Sequence, residues 1–348
     1  MSNNPSQTSG VIAHVNLARG YRGGERQTEL LIRELAKRGV RQRLVARTGE
    51  PLIVRLADQA TLDRRAVGGI VGAARALKGA SLAHAHEGRC VQATALARWL
   101  SGVPYVITRR VVRPISDNLV MRRVYGNAVA RVGISSSIAH AMDAFVSGAT
   151  SHVIPSAVTP VAPDKAHVRR LRERWGANPV VGHVGALIGY QKGQPLLIEV
   201  ARTRPGVSFV FVGSGPDEDE LRAQAAGLDN VHFTGQVDDV ASHLASFDLF
   251  AFPSLFEGLG SILLDAMFHE LPIVAARTGG IPDIIRNGEN GLLVPTDDAP
   301  ALGSAIDRLL SDPDLQTRFA KANREAIGNY SAARMADRYL ALYSELMS

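Results

Sequence analysis

The sequence predicts an α/β protein built from two doubly wound, parallel-stranded domains in tandem. Three observations carry this. The chain has 348 residues, and domains run to roughly 150 residues each. Apolar strand-like runs alternate with helix-period patterns nearly from end to end, the rhythm of parallel sheets with helical crossovers. That rhythm weakens once, at HVIPSAVTPVAPDKAH (152–167), where prolines 155, 160 and 163 mark a linker. The expected domains are therefore 1–155 and 165–330.

In the first half VIAHVNLA (11–18) reads as a buried strand. GERQTELLIRELAKRG then sets Leu30, Leu31, Leu35 and Ala36 on one helical face and stops at Gly39. RQRLVAR (41–47), SLAHAH (81–86), PYVITRRV (104–111) and RVGIS (131–135) follow as strands. In the second half the strands are VVGHVGAL (180–187), VSFVFVGSG (207–215), NVHFTGQV (230–237), DLFAFPS (248–254), PIVAAR (272–277) and GLLVP (291–295). A last helix, 331–347, is expected to pack back on the first domain. Two such domains leave a cleft at the carboxyl ends of their strands, where open α/β sheets bind ligands.

A 46% hydrophobic content supplies real cores. The polar start, MSNNPSQTSG, lacks the basic and apolar regions of a signal peptide. No apolar run approaches the roughly 20 residues of a membrane span. A single cysteine, Cys90, excludes an internal disulfide and suits a reducing cytoplasm. Charge is divided unevenly: residues 1–155 hold 22 Lys and Arg against 9 Asp and Glu, the remainder 17 against 24. Those 22 cations include only two lysines, Lys37 and Lys78. Arginine grips phosphate with a bidentate fork, so the first half suits anionic headgroups or phosphorylated sugars. Nucleic acid is excluded as a partner, because no aromatic stacking platform or recognition-helix motif accompanies the charge.

The densest chemistry lies in PSLFEGLGSILLDAM (253–267). Glu257 precedes a turn through Gly258, Leu259, Gly260 and Ser261, and the helix that follows carries Asp265 on its first turn. Glycines there let backbone N–H groups approach a ligand, and a helix start adds partial positive charge. A capping box would need its acid at 264, which is leucine, so Asp265 is placed to accept from a diol. A solvated loop glutamate with a dipole-complementing aspartate explains the segment equally well when it stands alone. Lys192-Gly193 sits where a strand gives way to a helix and suits a diphosphate. Gly23-Gly24 forms a second glycine turn after the first strand. HAHEG puts His84 and His86 on one face at a strand end; no further ligand cluster accompanies them, so no metal is expected and a sugar contact is the functional reading. Asp217-x-Asp219 has the spacing of some metal sites, but it opens a helix after a glycine turn and reads as dipole-complementing acid.

FPSLFEGLGSILLDAMFHELPIVAARTGGIPDII, with the upstream VGAL…QKG and VHFTGQVDDV…DLFAFPS, resembles retaining glycosyltransferase family 4. The resemblance is strong over 180–295 and extends into the first domain through GYRGGERQ, HAHEG and TRRVVRPISDN. It implies the GT-B fold, two Rossmann-like domains facing a central cleft. The family's paired acids eight residues apart map onto Glu257, for the donor sugar's hydroxyls, and Asp265, for the ribose. Gly258, Leu259, Gly260, Ser261 and Ile262 would supply backbone donors. Lys192 would hold the diphosphate, Gly23 and Gly24 would shape the loop touching the phosphates, and His86 would contact the donor sugar. Two departures stand out: the second acid is an aspartate, and Ala186 replaces an arginine common in the family.

The implied activity is front-face sugar transfer with retention from a nucleotide-sugar, UDP-linked, without metal or other cofactor. The basic, valine-rich stretch 108–131 points to an anionic glycan or glycolipid acceptor, such as a lipopolysaccharide core, met by a cytoplasmic enzyme peripheral to the inner face of the membrane. Two alternatives remain, a sugar-nucleotide 2-epimerase of similar architecture and a non-catalytic glycan-binding relative. A nicotinamide dehydrogenase is excluded, since VGSGPDED stops at G-x-G.

Overall fold

The computed structural model describes residues 10–348; the polar start up to Ser9 lies outside the described residues. The chain divides into two compact units. One runs to Ala157 and also takes in Ser331–Ser348, and the other is Val158–Tyr330.

The first unit holds a seven-stranded sheet of β1 (Ile12–Asn16), β2 (Gln42–Arg47), β3 (Asp63–Val67), β4 (Leu82–Ala85), β5 (Tyr105–Arg109), β6 (Ala130–Gly133) and β7 (His152–Val153). Its order is β3-β2-β1-β4-β5-β6-β7 with every pairing parallel. The second unit repeats the plan with β8 (Val180–Val184), β9 (Ser208–Val212), β10 (Val231–Gly235), β11 (Leu249–Phe252), β12 (Ile273–Ala276) and β13 (Leu292–Val294), ordered β10-β9-β8-β11-β12-β13. In both sheets the winding reverses next to the first strand, between β1 and β4 and between β8 and β11. At such a switch point the loops leaving the two strands run to opposite faces and leave a crevice for a ligand.

The central strands are buried on both faces and are correspondingly apolar: IAHVN, LAHA, VVGHV and LFAF have no exposed residue. Three of the four carry a histidine, which is where polar chemistry enters the core. In the first unit Ile12, Leu31, Leu35, Leu82, Val106 and Val132 pack against Met335, Tyr339 and Tyr343 of the helix Ala332–Met347. That helix lies along the helix Gly23–Lys37, with Arg38 paired to Asp337 at 2.7 Å. The second core gathers Leu197, Phe209, Phe211, Leu249, Ile306 and Phe319.

Two strands escape the sequence pattern. DRRAV (63–67) shows no apolar alternation because β3 is an edge strand with Arg64, Arg65 and Ala66 exposed; charge on an edge discourages further pairing. The expected linker 152–167 is corrected at its start. His152–Val153 closes the first sheet, and Ile154 and Ala157 are buried in the first core.

Candidate functional site

In the second unit, β8 is followed by the short helix Gly189–Lys192, a turn at Gly193, and the helix Gln194–Arg202. The neighbouring β11 is followed by the loop from Pro253 to Ser261 and the helix Ile262–Phe268. Two glycines let the Glu257 loop be approached closely, Gly193 from the β8 side and Gly279 from the loop after β12. Gly193 has φ +70°, and a Cβ there would lie 2.2 Å from the Pro253 carbonyl oxygen. Gly279 has φ +52°, and its Cβ would lie 1.7 Å from the carbonyl oxygen of Glu257. Any side chain at either position pushes the Glu257 loop away. The Leu255 and Phe256 amides both donate to the Gln191 carbonyl, at 2.9 and 3.3 Å, and Thr278 Oγ1 donates to the Leu255 carbonyl at 3.0 Å.

The consequence is an ion pair across the switch point: Lys192 Nζ donates to Glu257 Oε2 at 2.5 Å, with only 16% and 14% of the two side chains exposed. The ammonium also stands 5.5 Å from the centre of the Phe252 ring, and Glu257 Oε1 accepts from the Gly258 amide at 3.2 Å. One cation and one carboxylate are thus held ready, each able to turn from its partner to a ligand group of opposite character. Leu259 is buried, Gly260 turns with φ +75°, and Ser261 is the exposed residue before the helix proper, which begins at Ile262 rather than at Ser261. Asp265 is half-buried on that helix's first turn.

The sequence reading missed one support here. Asp217 Oδ2 accepts from the Gly189 amide at 2.8 Å, which pins the start of the lysine-bearing turn from the end of β9. Its neighbour Asp219 lies in the first turn of the helix Glu218–Gln224 with Glu218 and Glu220, in the dipole-complementing place expected of it. Ala186 is exposed, and its carbonyl accepts from Gln194 Nε2 at 2.8 Å.

In the first unit, Gly23 and Gly24 open the helix after β1, and Glu25 Oε2 accepts from the Arg22 amide at 3.0 Å. His86 follows β4. The expectation that His84 and His86 lack a further ligand-type neighbour is corrected: His14 on β1 lies beside His84 in register, and a nitrogen from each of the three lies within 4.8 Å of the others. Adjacent strands at the switch point were the available signal. The three rings are tied to one another and to neighbouring side chains. His84 bonds the Tyr343 hydroxyl at 2.5 Å and Thr108 Oγ1 at 2.7 Å, and His14 bonds Gln42 Oε1 and His86 at 3.0 Å each. Only His86 Nδ1 is left without a partner. Burial first, then the neighbouring histidine rings and last the Arg110 guanidinium hold the His84 and His86 pKa values well below the ordinary imidazole range.

The tautomers follow. Gln42 Nε2 donates to the Ile32 carbonyl at 3.0 Å, so its oxygen faces His14 and His14 Nε2 carries the proton. His14 Nδ1 is then an acceptor, and His86 Nε2–H donates to it. Burial holds His86 neutral, which leaves His86 Nδ1 a bare acceptor. It is suited to a hydroxyl donor.

With this geometry in hand, likeness to known proteins is informative. The two units wound in this order are the α/β architecture of GT-B glycosyltransferases. The structure of Anabaena Alr3699/HepE in complex with UDP-glucose has the same fold, with a TM-score of 0.85 at 20% identity over 97% of this chain and 100% of that one. Residues 178–312 match the family described as Glycosyl transferases group 1, so the second unit carries a domain of that family. The lipopolysaccharide core biosynthesis glycosyltransferase LpsE of Rhizobium meliloti is 35% identical over 168 residues, 47% of this chain and 49% of that protein. The sulfoquinovosyl transferase SQD2 of Arabidopsis thaliana is 39% identical over 166 residues, 46% of this chain and 32% of that protein. The chain thus spans half or less of the length of these two relatives.

The buried histidines make stability depend on pH. Burial lowers the His14 and His183 pKa values from 6.5 to about 4. Both stay neutral in the fold, while the unfolded chain takes up their protons below pH 6.5. Stability is therefore complete above about 6.5 and is lost as pH falls toward 4, by on the order of 3 kcal/mol for each histidine. Urea unfolding followed by circular dichroism is expected to show a markedly lower midpoint at pH 4.5 than at pH 7.5. An unchanged midpoint would show that these histidines are not held neutral.

Proposed function

We propose that the protein is a retaining glycosyltransferase that moves a sugar from a UDP-linked donor to a cell-envelope glycan or glycolipid, such as a lipopolysaccharide core. The observation that carries this reading is the Lys192–Glu257 pair at the β8/β11 switch point. A nucleotide-sugar presents a diphosphate beside a ring of hydroxyls, the complement of one ammonium and one carboxylate held side by side. Support for the donor comes from the likeness to the UDP-glucose complex, and for the acceptor from the match to LpsE.

In this reading Lys192 neutralises the charge that develops on the leaving diphosphate, which stabilises the transition state more than the ground state. Glu257 accepts from the donor sugar's hydroxyls, and Asp265 accepts from the ribose diol. Gly258 to Ile262 offer backbone N–H groups. Gly23 and Gly24 shape a phosphate-facing loop, and the His86 ring contacts the donor sugar. The departing diphosphate deprotonates the acceptor on the same face, so the anomeric configuration is retained and no metal or carboxylate base is required. Release of labelled UDP from UDP-glucose tests the assignment. Lys192→Ala and Glu257→Ala are each expected to lower kcat/KM at least 100-fold, about 3 kcal/mol of transition-state stabilisation. Normal turnover in both variants would show the site to be elsewhere.

We further propose a cytoplasmic location with peripheral contact to the membrane. No helix among the described residues is long and apolar enough to cross one. The first unit presents Val111, Val112, Leu119 and Val120 exposed among Arg113, Arg122 and Arg123, apolar groups for the interface beside cations for anionic headgroups. Flotation with vesicles is expected to carry the protein upward only when they contain anionic lipid; indifference to lipid charge would sink the membrane contact.

A further inference from the structure

Beyond the C-terminal ends of β1, β4 and β5 the first unit encloses a cavity of about 390 Å3, lined among others by Arg19, Arg22, His86, Arg109 and Arg110. Four guanidinium groups around one small space are unusual unless acids pair with them. Elsewhere in this unit six arginines, Arg33, Arg38, Arg43, Arg55, Arg65 and Arg122, each have a carboxylate within 3.0 Å, whereas others such as Arg41, Arg64 and Arg131 stand singly rather than gathered around one space. Among the described residues, none of the four lining arginines makes an ion pair. Arg109 donates to the Tyr125 hydroxyl at 3.2 Å and to the Arg113 carbonyl, and Arg110 Nη1 donates to Ser156 Oγ at 3.3 Å. Arg110 Nε is buried with no partner at all.

The two acids that line the cavity are already engaged. Glu25 accepts from the Arg22 amide and from Asn16 Nδ2, while Glu87 accepts from the Arg89 amide and from Cys90 Sγ. A guanidinium remains charged at any accessible pH, so four of them facing the two carboxylates leave an excess of positive charge that an entering anion offsets. His86 adds an independent sign of a ligand: it is 1% exposed, lines the same cavity, and keeps the bare acceptor Nδ1 derived above. Amide groups at the start of the fifteen-residue helix Gly23–Lys37 add to the positive field.

We propose that this cavity binds a phosphate-bearing, hydroxyl-bearing group of the acceptor, so that the substrate class is a phosphorylated sugar or polyol. The phosphate lies among Arg19, Arg22, Arg109 and Arg110, and a hydroxyl donates to His86 Nδ1. This assignment rests on the glycosyltransferase reading for the word acceptor, since the donor diphosphate is allotted to Lys192. The binding chemistry itself stands on the first unit alone.

Calorimetry on the full chain tests it with glucose 6-phosphate, glycerol 3-phosphate, glucose, glycerol and UDP as probes. The phosphate esters are expected to bind at least tenfold tighter than their neutral parents, with an affinity that falls as salt rises. Arg19 and Arg22 are exposed and hold no part of the core, so R19Q/R22Q should keep the wild-type melting temperature. That variant is expected to lose at least tenfold in ester affinity and to keep its affinity for UDP. Equal affinity for esters and neutral parents would overturn the proposal. So would a UDP affinity that falls in step with ester affinity, because the anion would then be the donor's diphosphate. Ester binding in a protein that fails to bind UDP would refute the donor reading and leave this site standing.

Discussion

The close packing of the Gly193 turn and of the loop after β12, at Gly279, against the loop that carries Glu257 is the constraint on which the second unit's chemistry depends. Neither position tolerates a Cβ, because the carbonyl oxygens of Pro253 and Glu257 occupy the space. That approach sets Lys192 against Glu257 at 2.5 Å in a setting that is mostly shielded from water. A charge-assisted hydrogen bond of this kind contributes about 2 kcal/mol, and removing either partner strands the other. The pair therefore holds the two loops together while leaving both groups able to exchange their bond for one to a ligand.

The first unit solves the same topological problem with a different polar floor. Its switch point is occupied by His14, His84 and His86, fastened from behind by Gln42, Thr108, Tyr339 and Tyr343. The two tyrosines come from the final helix, so the C-terminal segment does more than cover apolar surface. It orients His84 by a hydrogen bond and completes the buried network. Because burial keeps the rings neutral and neighbours set the tautomers of His14 and His86, one acceptor at His86 Nδ1 is left over, on the wall of the arginine-lined cavity. Charge and hydrogen-bonding capacity are thus concentrated on one side of each sheet, at the carboxyl ends of the central strands.

Much of this could be read from the sequence because the physics is local. Apolar runs of strand length, helix periodicity in TELLIRELAK, and glycines placed after strands are properties of short windows, and so are the separate positions of Lys192-Gly193 and Glu257-Gly258 after strands, though not their meeting as an ion pair. What escaped depends on neighbours distant in sequence. β3 has the composition of a loop and is a strand only because β2 offers an edge. His14 became part of a trio through the β1–β4 register, and Asp217 became a support for the lysine turn across the β8–β9 pair. The excess of arginine in the first half was plain, but which of them lack acids is decided by tertiary placement.

The central claim, that Lys192 receives the diphosphate while Glu257 receives the sugar, is tested most directly by the affinity of UDP, which carries a diphosphate and no sugar. Titration calorimetry with Lys192→Ala is predicted to show UDP affinity reduced at least tenfold. Glu257→Gln is predicted to bind UDP as well as the wild type or better, because it loses no sugar contact and removes a negative charge beside the ammonium. Equal losses in the two variants, or wild-type affinity in Lys192→Ala, would contradict the account.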